Sequence, residues 1–314
     1  MLNLQPPAEG AAQTAEGARK SFNAGDLIIE HVSNTSVDHP LIHLPRIFGI
    51  DMSVTKHVFM LWVVAAILFF GLTWLVRRYL AQERLIPDRT TSLLEITLEF
   101  VRDSIAAPNL GQKWVLAWTP LLLTLFLFIF TANLMGVLPV FDVLELLNST
   151  VIHAGPESWF TRVLHGGVTA TGNYNVTAAL ATIAFFCIIV AGTQAHGFVQ
   201  HWKNLVPKGL PWPIYFLLVP IEIMGMFVRP FALTMRLAAN MAGGHIAILA
   251  LLSLVFVFTQ LFGRAIAGVG VGMVLSLPIG VGLTALELIV ILVQAYVFTL
   301  LTAVFIGMAI HAHH

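Results

Sequence analysis

HVFMLWVVAAILFFGLTWLV, residues His57 to Val76, is twenty residues without a single Asp, Glu, Lys or Arg. A run of about 20 apolar residues spans the hydrocarbon core of a bilayer as one α-helix. Lys56 precedes it and Arg77-Arg78 follow it, so charge stands at both ends of the run. The stretch predicts a transmembrane helix and sets the class of the whole chain.

Composition agrees. Of 314 residues, 58% are hydrophobic and 10% charged, against roughly 45–50% and about 25% in soluble domains. The mean hydropathy is +0.86. Formal net charge is zero, so nothing here resembles the basic footprint of a nucleic-acid binder. The single cysteine, Cys187, lies in an apolar run and can form neither an internal disulfide nor a Cys-rich metal site. No metal or cofactor is expected. Before the first span, residues 1–56 read as a polar tail with no secretory signal. HPLIHLPRIFGI within it suits the membrane surface, and His31, His39 and His43 read as solvent-facing.

Beyond the first span, SLLEITLEFVRDSI (Ser92 to Ile105) repeats apolar residues at helical spacing, with Glu95, Glu99, Arg102 and Asp103 opposite. That predicts an amphipathic helix on the surface. Further spans are expected at 114–138 and 176–197, separated by a connecting loop over 139–173. HWKNLVPKG, His201 to Gly209, reads as a short basic loop. The stretches 211–263 and 268–310 exceed what one crossing needs, and Pro220 and Pro230 interrupt the first. They predict long, tilted or bent helices forming a hairpin. The expectation is an all-α polytopic membrane protein, with a membrane domain over 57–310 and about five transmembrane helices.

Lys and Arg in short loops set orientation. The 77–113 loop holds six (Arg77, Arg78, Arg84, Arg89, Arg102, Lys113), the 198–210 loop two (Lys203, Lys208) and the 139–173 loop only Arg162. The first two loops are expected in the cytoplasm and the third outside. The N-terminus is then outside and the C-terminus cytoplasmic, although the tail itself holds four positive residues.

Within the last two spans stand Glu222, Arg229, Arg236, His245 and Glu287, with Arg264 beside a likely turn at Gly263. A charge at mid-bilayer costs at least roughly 2.5–3.5 kcal/mol, so the deep ones must face protein or water. Glu222, Arg229 and Arg236 recur every seven residues, within about 20° of one face of a helix. Gly225, Ala232, Asn240 and Gly243 lie near the same stripe, and small residues let a neighbouring helix come close. If Glu222 pairs with Arg229, as the spacing permits, and Glu287 pairs elsewhere, Arg236 has no acid in this chain. Its expected partner is a membrane carboxylate on another chain. A structural seam within the subunit is the alternative. His245 faces away from the stripe, and Glu287 and Gln294, again seven apart with Thr284 just before, form a second one. A His245–Glu287 couple across the hairpin suits proton passage.

TMRLAANMAGGHI (Thr234 to Ile246) resembles the arginine-containing segment of the a subunit of F-type ATP synthases. ELIVILVQAYVFTLLTAVFI (Glu287 to Ile306) is similar to the last helix of that family, and TANLMGVLP (Thr131 to Pro139) and NYNVTAALA (Asn173 to Ala181) to shorter segments of it. The resemblance implies that Arg236 is the stator charge facing a ring of c subunits and that Gln294 lies near it. It implies that Glu222, Asn240, His245 and Glu287 line two aqueous half-channels, with the His–acid pair in exchanged order relative to some members. It further implies the c-ring and the b subunits of the peripheral stalk as partners and ATP chemistry in other subunits. The His245–Glu287 couple favours protons as the cargo, and the lack of a targeting peptide favours a bacterial plasma membrane as the location. Arg229 reads equally as a secondary positive site or a helix anchor. A secondary transporter or channel is the rival reading, but no internal repeat is visible. A membrane haem protein would need more deep histidines than His245. Walker, metalloprotease and nucleophile-triad motifs are not evident.

Overall fold

The computed structural model describes residues 53–81, 88–138, 140–153, 155, 170–203, 211–262 and 265–311. The expected tail up to residue 52, the turn at 263–264, and Arg84, Arg162 and Lys208 lie outside them. The described residues are overwhelmingly helical, in this order: α1 Lys56–Leu80, α2 Arg89–Glu99, α3 Ala107–Leu110, α4 Gln112–Val137, α5 Val140–Leu147, α6 Tyr174–His196, α7 Phe198–Lys203, α8 Trp212–Phe262 and α9 Ala265–Ile310. Five of these helices contain stretches long and apolar enough to cross a membrane: Lys56–Leu80, Gln112–Val137, Tyr174–His196, Pro213–Leu251 and Ser276–Ile310.

The stretch Ile246–Gly282 forms one compact unit, and the remaining described residues, up to His245 and from Leu283, form another. In the larger unit the core draws on α4, α6, α8 and α9: Leu122, Phe126 and Ile129 meet Leu180 and Ala184, Leu233 and Leu237, and Ala295, Phe298 and Ile306. Threonines in this interior donate back to the carbonyl four residues earlier, as Thr119 does to Val115 at 2.7 Å and Thr299 to Ala295 at 2.8 Å. That is how a hydroxyl is satisfied where no water reaches. Pro220, Pro230 and Pro278 sit inside helices. In water such prolines would break them, but in membrane helices neighbouring groups compensate. In the smaller unit, Ser276 Oγ donates to the Leu251 carbonyl at 3.1 Å, so the end of α8 and the start of α9 run side by side.

Three local readings of the sequence need correction. The amphipathic helix is not wholly superficial. Leu93 and Ile96 are exposed, but the chain then winds as a π-helix over Phe100–Ala106 and enters the core. The wider turn brings Val101, Ile105, Ala106 and Leu110 to the inside, four or five residues apart. The connection after α4 begins with helix, because VFDVLELL places Val140, Val143, Leu144 and Leu147 at i, i+3, i+4 and i+7. The basic loop starts within α7, where His201 packs onto Gly192 so closely that a β-carbon there would overlap its ring.

Candidate functional site

α8 has two faces around Arg236. Leu233, Thr234, Leu237, Ala238 and Met241 turn inward and are buried. Ala232, Met235, Arg236, Ala239, Asn240 and Gly243 are exposed. On α9, Glu287, Ile291, Gln294, Ala295 and Phe298 are buried, while Leu286, Leu288, Ile289, Leu292 and Val293 are exposed. Arg236 therefore stands on an outward strip of α8 formed largely by alanines and glycine.

Two turns earlier, Arg229 Nη2 lies 3.6 Å from Glu222 Oε1. This is the pairing that their seven-residue spacing permits. The Arg229 guanidinium also lies 5.3 Å from the ring centroid of Phe305 on α9. Among the described residues, the Arg236 side chain has neither an ion pair nor a hydrogen bond.

Across the two helices, Asn240 Nδ2 donates to Gln294 Oε1 at 3.1 Å. Gln294 is 5% exposed, so this contact carries its side chain in a nearly dry place. One turn further along α8, a β-carbon added to Gly244 would lie 3.0 Å from Glu287 Oε1. The Glu287 side chain is seated over the bare backbone of Gly244. Both of its oxygens are buried without a hydrogen-bond partner among the described residues. They retain capacity for a proton or a water molecule. His245 is the next residue and is half-buried. The structure thus brings Glu287 to the Gly244–His245 step but draws no hydrogen bond from the imidazole to the carboxyl group.

Arg236, Asn240 and Gln294 are grouped at one level, Glu287 and His245 at the next, and Glu222 with Arg229 below. Sequence reasoning missed two contributors. Phe305 and Gly244 stand in the quoted segments ELIVILVQAYVFTLLTAVFI and TMRLAANMAGGHI, with no role assigned to either. An antiparallel register anchored on Asn240 opposite Gln294 would have placed Gly244 near Glu287. No described group of three His, Cys, Asp or Glu side chains could hold a metal ion.

Residues 58–307 match the family described as ATP synthase A chain. The chain belongs to that family. It is similar to ATP synthase subunit a 2 of Prosthecochloris aestuarii, with 36% identity over 98% of this chain and 86% of the relative. Subunit a 2 of Chlorobium luteolum is 34% identical over 96% of this chain and 81% of its own length. Subunit a of Pelodictyon phaeoclathratiforme is 36% identical over 97% and 81%.

Proposed function

We propose that this a-family chain is the proton-conducting stator of a rotary ATP synthase membrane sector, with Arg236 as its fixed charge. The observation that carries this reading is the position of Arg236. It is a permanent cation on an outward strip of small residues, with no acid beside it among the described residues. A guanidinium does not give up its proton. In a membrane such a group is stabilised by an external anion, and a carboxylate on a passing c subunit is the anion that fits.

In this mechanism a proton from outside neutralises a c-ring carboxylate through one half-channel, and the neutral acid can then rotate through lipid. On reaching the second half-channel it meets Arg236, which favours the ionised form and releases the proton to the cytoplasm. The same positive charge bars direct passage between the channels. Each proton brings about 2.3 kcal/mol per 100 mV of membrane potential. Glu287, His245, Asn240 and Gln294 supply the polar lining above the arginine, and Glu222 lies below it. The b subunits of the peripheral stalk hold the chain against rotation. The membrane is a bacterial plasma membrane, with the C-terminus cytoplasmic. Nucleotide chemistry resides in other subunits.

The test is ATP-driven proton pumping in inverted vesicles bearing the assembled complex with Arg236→Ala. The expected result is loss of pumping while ATP hydrolysis by the soluble sector persists. Pumping at the native rate would overturn the reading.

A further inference from the structure

Arg229 and Arg236 share one face of α8, about 10.5 Å apart along the axis at 1.5 Å per residue. A carboxylate moving over this face would meet both. Neither can be silenced by losing its proton. Two equal cations would hold the carboxylate at two places, and only one of these lies at the junction of the channels.

The two are not equal here. Arg229 is engaged from one side by Glu222 at 3.6 Å and from another by the Phe305 ring at 5.3 Å. The side chains of Arg229 and Glu222 are 33% and 37% exposed, so the pair reaches the surface rather than hiding beneath it. A seven-residue spacing keeps Glu222 on the same stripe as the cation it faces, whereas a four-residue spacing would rotate it about 40° away. Gly225 lies between them, and a β-carbon there would meet nothing within 4 Å. The space beside the pair is open, so the pairing is not an accident of tight packing.

We propose that Glu222 and Phe305 mask Arg229, so that Arg236 is the one cation offered to the carboxylate of the partner ring. Glu222 then has a task distinct from passing protons: it cancels a competing charge. Phe305 lies against the cation from α9. This rests on the reading of Arg236 as the stator charge.

The test is the initial rate of ATP-driven proton pumping in inverted vesicles, normalised to assembled complex. Glu222→Gln uncovers Arg229. A competing site of equal affinity would hold the carboxylate half the time, so the rate falls about twofold or more. Adding Arg229→Gln removes the competitor and raises the rate above that of Glu222→Gln alone by a similar factor. Phe305→Leu shows a smaller fall, again relieved by Arg229→Gln, and reports on the same mask should Glu222→Gln assemble poorly. A double variant no faster than Glu222→Gln overturns the proposal and makes Glu222 a relay or a structural group. A Glu222→Gln complex that pumps at the native rate overturns it also. Arg236→Ala serves as the control: if that variant pumps, the underlying reading of Arg236 has failed, whatever the other variants do.

Discussion

Asn240 on α8 and Gln294 on α9 join their side chains at 3.1 Å, one turn beyond Arg236. The two ends of the bond differ in environment. Gln294 is buried, and Asn240 is exposed. Losing either partner should therefore have unequal effects. Asn240→Leu strands a buried amide and should cost about 1–3 kcal/mol. Gln294→Leu leaves only an exposed amide behind and should cost less. The double variant should be less stable than native by no more than Asn240→Leu alone. A double-mutant cycle on thermal unfolding of the detergent-solubilised complex measures this, and strictly additive effects would show that the bond does not couple the helices.

Glu287 depends on Gly244 in a similar way. With a methyl group 3.0 Å from Oε1 and 3.4 Å from Cδ, the carboxyl group of Glu287 must give by a few tenths of an ångström in Gly244→Ala. The end of a glutamate side chain can move, so the fold should survive and proton pumping should slow. Gly244→Leu fills the seat and should abolish pumping. Shortening the acid in Gly244→Ala/Glu287→Asp should recover part of the loss. Pumping traces for the three variants check the order. Native rates in both single variants would mean that the seat of Glu287 is irrelevant to conduction.

The stripe Glu222–Arg229–Arg236 was legible in the sequence because a seven-residue repeat maps directly onto a helix face. The five apolar spans were legible because hydrocarbon thickness sets their length. What remained hidden depends on which helices touch. Phe305 near Arg229 and Gly244 beneath Glu287 are separated by 76 and 43 positions in the chain, and one sequence carries no register between distant helices. The π-helical turn at Phe100–Ala106 was hidden for a different reason. EFVRDSI satisfies a 3.6-residue period well enough, and only packing of Ile105 and Ala106 together against the core selects the wider turn.

Gly307 on α9 lies against the backbone of Asn109 at the end of the amphipathic segment. A β-carbon there would overlap the Asn109 carbonyl oxygen. A backbone atom cannot rotate away as a side-chain end can. Gly307→Ala should therefore separate α9 from this segment and cost about 1–3 kcal/mol or more. By contrast, an added methyl at Gly243 meets nothing within 4 Å, so Gly243→Ala should leave thermal stability near native. Comparing unfolding midpoints of the two variants tests whether the close approach is real, and equal midpoints would count against it.

Asp88 gives a pH dependence outside the membrane. Its Oδ1 accepts from the Thr91 backbone N–H and from Thr90 Oγ1, each at 2.9 Å, and Arg78 lies 3.5 Å from Oδ2. These donors, the Thr91 backbone N–H foremost, hold the carboxyl group down at about 2, against an ordinary 3.8. A carboxyl group lowered in the folded state contributes its stabilisation above its unfolded value and loses it as pH falls through the folded one. The cap on α2 is thus complete above an ordinary carboxyl pKa of about 4 and is lost as pH falls towards about 2. Amide protection of Thr91, corrected for intrinsic exchange, should fall across that window in the native complex. Asp88→Asn keeps a capping oxygen without the titration, so its protection should stay flat over the same range. Asp88→Ala should be poorly protected throughout. A native complex whose Thr91 protection shows no step in that window would mean that the carboxylate is not what holds the start of α2.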